Sequence, residues 1–327
     1  MFVKMVLELS ETAKKKLIHA QYGLFGHSAV QICSWTKKSL VKKGVCYKEK
    51  FYGVDSHKCM QFTPLSLWCT NNCVFCWRPA SYLNNFDEKE EIDCPENIVE
   101  NLIVERKKLM MGFGGNDKVD KEKLKDAYVP NHFAISLSGE PTLYPKLCGL
   151  IDYLKKEKKA RTVFLVTNGQ VPETLEKLAV KKCLPTQLYI SVSAPNEEKY
   201  IEISRPKQKG AWSLFCKSLD VMNGVKCRTV LRMTMINGLN TGEEYFEDYA
   251  KLVKRANPDF IEVKSYMHIG ESQKQLGKEN QCDFGQVQEI SKRLCECVDF
   301  DYCDDAANSR ICLLKNKDGR YGKIIEV

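Results

Sequence analysis

The chain has 327 residues, 43% of them hydrophobic and 28% charged, a balance that excludes a disordered chain and suits one large α/β domain with attachments, or two ordinary domains. No apolar run approaches the roughly 18–20 residues of a membrane span, and the stretch ending in Lys14-Lys15-Lys16 has no apolar core followed by a cleavage site, so neither a membrane protein nor a secreted one is expected. The net charge is +8, and the first fifty residues, with ten lysines against Glu8, Glu11 and Glu49, hold +7 of it; such a segment suits an anionic partner such as nucleic acid, or a solvated lysine face.

In chain order, Gln61–Leu67 is a weak first strand candidate. Strand-length apolar runs then recur at His132–Leu137, Thr162–Val166, Leu188–Val192, Thr229–Met235 and Phe260–Val263. Helical periodicity lies between them at Ile98–Met110, Leu147–Lys155, Glu173–Lys181, Trp212–Met222 and Tyr245–Arg255. Strands alternating with helices predict parallel pairing through right-handed crossovers. The expected fold is α/β, a partial (β/α)6 TIM-like barrel with N- and C-terminal extensions; a doubly wound open sheet has the same periodicity. Gly112–Lys125 reads as a surface loop, Val287–Val298 as a helix, and Ile311–Leu314 and Lys323–Val327 as short strands. The implied division is a basic segment over 1–60, a core over 61–270 and an extension packing on it over 271–327.

Sixteen cysteines are many for a chain with no secretion signal, and at regular spacing they point to metal ligation or catalysis. Cys69, Cys73 and Cys76 form C-x3-C-x2-C directly after the first strand candidate. Three thiolates on one short loop can hold three irons of a [4Fe–4S] cluster and leave the fourth open, whereas zinc usually takes four protein ligands in paired C-x2-C units. With Phe75 just before the last cysteine, the loop resembles the cluster loop of the radical S-adenosylmethionine superfamily, where the open iron binds S-adenosylmethionine and its reductive cleavage yields a 5′-deoxyadenosyl radical.

Other residues fall where ligands gather in such folds, at strand C-termini. Ser138-Gly139-Glu140-Pro141 resembles the superfamily motif that holds the methionine amino group: Gly139 permits close backbone approach, and Glu140 can accept from an ammonium. Thr167-Asn168 ends the next strand, Ser191 the one after, and Arg232 lies in the next, as a cofactor contact or a structural ion-pair partner. Ser193 stands where relatives often carry an acidic residue, which argues against a ribose contact there.

Upstream, Cys33, Cys46 and Cys59 are spaced C-x12-C-x12-C. Three more thiolates suit a second cluster with an open iron, able to chelate a keto acid; buried free cysteines are the plainer alternative. Context decides. The runs Cys46–Gly53, Ser56–Cys59, Gln61–Pro64, Cys73–Pro79, Ser138–Pro145, Leu184–Tyr189 and Asp259–Lys264 closely resemble the tRNA 4-demethylwyosine synthases, from about residue 20 onward.

That resemblance implies condensation of pyruvate with N1-methylguanosine at position 37, in the anticodon region of tRNA(Phe), to give 4-demethylwyosine, with two [4Fe–4S] clusters and S-adenosylmethionine as cofactors. It implies Lys48, two residues after the middle cysteine of the upstream set, as the amine that forms a Schiff base with pyruvate; Lys50 is its nearest competitor. The chain looks like the short archaeal form, expected to be a cytoplasmic monomer that takes electrons from an external low-potential donor. Trp77, Arg78 and Tyr82 are candidates for stacking a splayed-out base. A peptide-modifying radical enzyme would instead use cysteines after the barrel, here Cys282, Cys295, Cys297, Cys303 and Cys312. A metal-stabilised tRNA-binding module would leave the strand-end motifs without a purpose.

Overall fold

The N-terminal segment folds into short elements that its sequence hardly signals. In the computed structural model, which describes residues 7–79 and 91–326, helix α1 (Glu11–His19) is capped by the Ser10 side chain and leads into an antiparallel hairpin of β1 (Tyr22–Phe25) and β2 (Ser28–Gln31). Two short helices follow, α2 (Ser34–Leu40) and α3 (Tyr47–Tyr52), the latter ended by Gly53 at φ +74°. Tyr22–Phe25 and Ser28–Gln31 are four residues each, and Gly23, Ser28 and Gln31 break their apolar content, so no apolar run marks the hairpin.

From there the expected alternation appears. Strand β3 (Cys59–Thr63) is followed by α4 (Pro95–Met110) and α5 (Lys121–Ala127). Next come β4 (His132–Ile135), α6 (Leu147–Lys156), β5 (Thr162–Thr167), α7 (Pro172–Val180) and β6 (Gln187–Val192). The series continues through α8 (Glu197–Ser204), α9 (Ala211–Gly224), β7 (Arg228–Met235), α10 (Phe246–Ala256) and β8 (Phe260–Ser265). The chain closes with α11 (Phe284–Cys297), β9 (Phe300–Ala306) and β10 (Ile311–Asn316).

Strands β3 to β8 lie side by side in chain order, all parallel. A doubly wound sheet starts in the middle and reverses direction. Here the order never reverses, so right-handed crossovers put the intervening helices on one face and the sheet wraps its other face inward. The two extensions join the same sheet: β2 pairs antiparallel with β3 at one edge, and β10 with β8 at the other, with β9 outermost.

Alternation then sorts the core into two layers. Phe133, Ile135, Val163, Leu165, Leu188, Ile190, Leu231, Met233, Ile261 and Val263 face the helices. Ala134, Phe164, Tyr189, Val230 and Phe260 face inward, where Tyr47, Phe51 and Tyr52 of α3 pack against them. Helix α3 thus fills the inside of the curved sheet with its own aromatic rings, each worth roughly 1.5–3 kcal/mol of burial.

Two expectations need correction, and two features had none. Gly112–Lys125 is not all loop: a 3-10 turn spans Met111–Gly115, and α5 starts at Lys121, capped by Asp120, whose carboxylate accepts from the Lys123 amide at 3.1 Å. Nor do residues 323–326 form a strand; Ile325 plugs the inner layer, and Arg228 holds the tail by donating to Gly322 O at 2.6 Å and Lys323 O at 2.9 Å. Strand β9, Phe-Asp-Tyr-Cys-Asp-Asp-Ala, escapes detection because it is a charged edge strand with one buried residue. Cys148 of α6 and Cys183 beyond α7 form a disulfide that the reading of cysteines as ligands did not anticipate. No described helix is long and apolar enough to cross a membrane.

Candidate active site with two cysteine triads

Cys69, Cys73 and Cys76 sit on the loop that leaves the C-terminal end of β3. The C-terminal end of α8 and the residues after it pair with this loop almost as a strand would. The Asn72 amide donates to Ser204 O and Arg205 O, both at 3.1 Å, the Val74 amide to Ile203 O at 2.9 Å, and the Lys207 amide to Thr70 O at 2.8 Å. All three thiols are half-buried, whereas Cys216, Cys227, Cys282 and Cys312 are fully buried. Burial pushes the Cys69 thiol up to about 12 and Cys73 well above its ordinary value, with the neighbouring thiols adding to both. Asn168 Nδ2 approaches Cys69 Sγ at 3.7 Å while donating to Thr70 Oγ1 at 2.8 Å.

The Ser138–Pro141 turn braces this loop from beneath. Gly139 has φ +77°, and a Cβ there would come within 2.2 Å of Leu65 O and 2.6 Å of Trp68 O, so only glycine permits the approach. The Glu140 amide donates to Trp68 O at 2.7 Å. The Glu140 carboxylate is buried, which raises its pKa. Its Oε1 accepts from the Thr142 amide at 3.0 Å, Thr142 Oγ1 at 2.6 Å and Thr167 Oγ1 at 2.7 Å; among the described residues Oε2 accepts only from the Asn168 amide, at 2.8 Å. A carboxylate has about four acceptor sites, so Oε2 has room for a further donor while Oε1 ties the end of β4 to β5. Pro141 opens the 3-10 turn that presents Thr142.

Cys33, Cys46 and Cys59 come from three elements: the N-caps of α2 and α3 and the first residue of β3. One serine knots the three together. Ser56 Oγ accepts from the Cys46 amide at 2.8 Å, its carbonyl accepts from Thr36 Oγ1 of α2 at 2.9 Å, and its amide donates to Glu49 of α3 at 3.0 Å. Buried Arg106 of α4 fixes the start of β3, donating to His57 O at 3.1 Å and Cys59 O at 3.3 Å. Burial lifts the Cys46 thiol to about 12 and Cys59 to about 11; Cys33 pushes both further up and Lys48 works the other way. Among the described residues no group of His, Cys, Asp or Glu surrounds a single metal-ion position. Both triads suit a [4Fe–4S] cluster, in which each thiolate holds a different iron.

Lys48 points from α3 into the inner layer, 9% exposed. Its Nζ lies 4.2 Å from the centroid of Phe164 and 5.0 Å from that of Tyr189, and it makes no hydrogen bond or ion pair with any described residue. Burial, then the charge of Arg232, lowers its pKa. Lys50, two residues on, is bound outside to Asp304 at 2.7 Å.

Two family models match: the Radical SAM superfamily over residues 63–253 and Wyosine base formation over residues 255–316. A curated relative from Pyrococcus abyssi, an S-adenosyl-L-methionine-dependent tRNA 4-demethylwyosine synthase, is 41% identical over 293 residues, 89% of this chain and 84% of its own. The chain belongs to the tRNA 4-demethylwyosine synthase family. The synthase of Methanocaldococcus jannaschii is 38% identical over 95% of this chain and 97% of its own. Among solved structures, the chain is similar to TYW1 with a lysine–pyruvate adduct bound, at TM-score 0.84 and 36% identity, covering 97% of this chain and 98% of that one.

Within this family fold, Arg232 lies on the same wall as Lys48. It is in register with Ser191, which is half-buried on β6. Burial works against its charge, but Glu262, Tyr47 and Tyr189 together outweigh burial and hold its pKa up, and Arg232 Nε donates to Glu262 Oε2 at 2.8 Å. Tyr52 donates to Glu262 Oε1 at 2.7 Å, and Tyr189 does so at 3.2 Å. Lys264 of β8 joins the same wall, its ammonium pushed down to about 8 by burial and by Arg232. Spacing did not reveal Ser56, Thr142, Arg106, Ser204 or Glu262 as site residues; an inward parity on β8 was the available signal for Glu262. The cysteines after the barrel are not gathered: Cys282 donates to Met235 O, Cys297 to Arg293 O, and Cys312 pairs with Tyr302 OH at 3.2 Å. Tyr82 lies outside the described residues.

Proposed function

We propose that this chain is a lyase that condenses pyruvate with N1-methylguanosine at position 37 of tRNA(Phe) to give 4-demethylwyosine, acting as a cytoplasmic monomer reduced by an external low-potential donor. Cys69, Cys73 and Cys76 hold one [4Fe–4S] cluster, and Cys33, Cys46 and Cys59 hold a second. When bound, the clusters supply the electron that cleaves S-adenosylmethionine and an open iron able to chelate a keto acid.

The protein's own groups do the positioning. Gly139 leaves backbone room beside the first cluster, and the spare acceptor on Glu140 Oε2 takes the methionine ammonium. Thr167, Asn168 and Ser191 border that place from the ends of β5 and β6, and Arg232, held by Glu262, shapes the wall beside Lys48. Lys48 attacks the keto carbon of pyruvate and loses water to form the Schiff base, a role open only to an amine with no anionic partner. The contrast between unpaired Lys48 inside and Asp304-bound Lys50 outside carries this assignment.

The deciding experiment is an anaerobic assay of the reconstituted protein with dithionite, S-adenosylmethionine, pyruvate and tRNA containing N1-methylguanosine, read by mass spectrometry of the digested nucleosides. A tricyclic nucleoside that requires pyruvate, formed together with 5′-deoxyadenosine, establishes the function. Formation of 5′-deoxyadenosine with unchanged tRNA, where a known synthase works, overturns the substrate assignment.

A further inference from the structure

Trp77 follows the last thiol of the first triad and is 40% exposed, an unusual state for an indole. One face is covered by Arg78, whose guanidinium carbon lies 3.5 Å from the ring centroid. Arg78 is itself buried and anchored in the β1–β2 hairpin, donating to Tyr22 OH at 2.6 Å and Gln31 Oε1 at 2.8 Å. The Trp77 backbone is fixed as well. Gly270, at φ +60°, packs so closely that a Cβ there would come within 2.3 Å of Trp77 O, which also accepts from the Glu271 amide at 3.3 Å. Exposed Met267 and Ile269 lie just before that contact.

Two lysines of the basic N-terminal segment are linked to this stack through hydrogen-bonded neighbours. Lys16 pairs with Glu271 at 3.1 Å, and Lys274 holds the same carboxylate at 2.6 Å. Lys37 donates to Gln21 at 2.8 Å, and the adjacent Ala20 carbonyl accepts from Gln31, the partner of Arg78.

We propose that the open face of Trp77, stiffened by Arg78, is the platform on which an unpaired RNA base flanking the reacting nucleotide stacks, with Lys16 and Lys37 near its phosphates. The inference rests on the RNA-substrate reading above. A base that reaches Lys48 inside the sheet must leave the RNA stack, and its neighbour then loses a stacking partner. Aromatic side chains replace that partner without regard to sequence. A platform already held by Arg78 loses little freedom on binding.

The test is a double cycle with the reconstituted holoenzyme. The probes are anticodon stem–loop RNAs containing N1-methylguanosine: one intact, one abasic at the preceding position, one abasic at the following position. Binding is read by fluorescence anisotropy, and modification by mass spectrometry. Trp77→Ala should weaken binding of intact RNA roughly tenfold, with Trp77→Phe losing less. One of the two abasic RNAs should bind the wild type and Trp77→Ala equally. Equal affinity of wild type and Trp77→Ala for intact RNA overturns the platform, as does the same loss on all three RNAs, which would mean that Trp77 only supports the cluster loop. A wild type that neither binds nor modifies intact RNA overturns the function itself, and so is told apart from failure of the platform alone.

Discussion

Lys48 and Lys50 are two residues apart on one short helix and face opposite ways: Lys48 Nζ stands 4.2 Å from the Phe164 ring centroid inside the sheet, and Lys50 Nζ 2.7 Å from Asp304 outside it. The helix buries Tyr47, Lys48, Phe51 and Tyr52 and turns position 50 to solvent. Reductive trapping with cyanoborohydride and pyruvate should therefore modify a peptide containing Lys48 and leave Lys50 unmodified. Lys48→Arg should abolish the trapped adduct and the tricyclic nucleoside, because a guanidinium is not a nucleophile at neutral pH. Lys50→Ala should retain both. An adduct on Lys50 would refute the assignment.

The triads should separate by iron content. Replacing Cys33, Cys46 and Cys59 together by alanine should lower the iron of the reconstituted protein from about eight to about four per chain, with loss of the tricyclic nucleoside but continued formation of 5′-deoxyadenosine. Replacing Cys69, Cys73 and Cys76 should remove 5′-deoxyadenosine as well. Unchanged iron after the first replacement would mean that those thiols are free.

Glu140→Gln keeps the volume but can set an NH2 group against the Asn168 amide or against Thr142 and Thr167. An unsatisfied buried donor costs about 1–3 kcal/mol, so the KM for S-adenosylmethionine in the 5′-deoxyadenosine assay should rise roughly ten- to a hundredfold. Unchanged KM and unchanged thermal stability would deny the carboxylate both of its roles.

Acid should loosen the β1–β2 hairpin. His27 is buried, its Nδ1 lies 2.6 Å from Pro64 O, and its Nε2 accepts the Asp93 amide at 2.9 Å. Only the neutral Nδ1–H tautomer satisfies both. Burial holds its pKa below 6.5, against the pull of the Asp93 carboxylate, and burial holds His132 down at about 4. Because the folded values lie below the unfolded one, the stabilisation is complete above pH 6.5 and falls with pH below it; for His132 the loss runs toward pH 4 with a slope approaching about 1.4 kcal/mol per pH unit, and His27 adds to it in the same direction. Urea titrations at pH 7.5, 5.5 and 4.5 measure it, and His27→Gln should flatten it. A stability that does not fall in this window would contradict the assigned tautomer.

The Cys148–Cys183 disulfide closes a loop of 35 residues, for which chain-entropy arguments give about 3–4 kcal/mol. Reduction, or the Cys148→Ser/Cys183→Ser pair, should lower the denaturation midpoint accordingly while leaving both cluster triads in place. Mass spectrometry under non-reducing conditions checks the bond directly.

Residue spacing by itself determined the Cys69–Cys73–Cys76 triad and the strand–helix alternation, and the residue runs around Cys33, Cys46, Cys59 and Ser138–Pro141 determined the family, because cluster ligation and short continuous apolar strands are local properties of the chain. Tertiary structure decided the rest. Curling of the sheet toward α3 follows from strand order, which periodicity does not encode. Which of Lys48 and Lys50 meets the interior depends on the side from which α3 packs. The hairpin and β9 owe their strand form to pairing, β2 with β3 and β9 with β10. Ser56 and Arg106, which hold three distant cysteine-bearing segments together, act through hydrogen bonds between residues far apart in the chain, and no local pattern records such bonds.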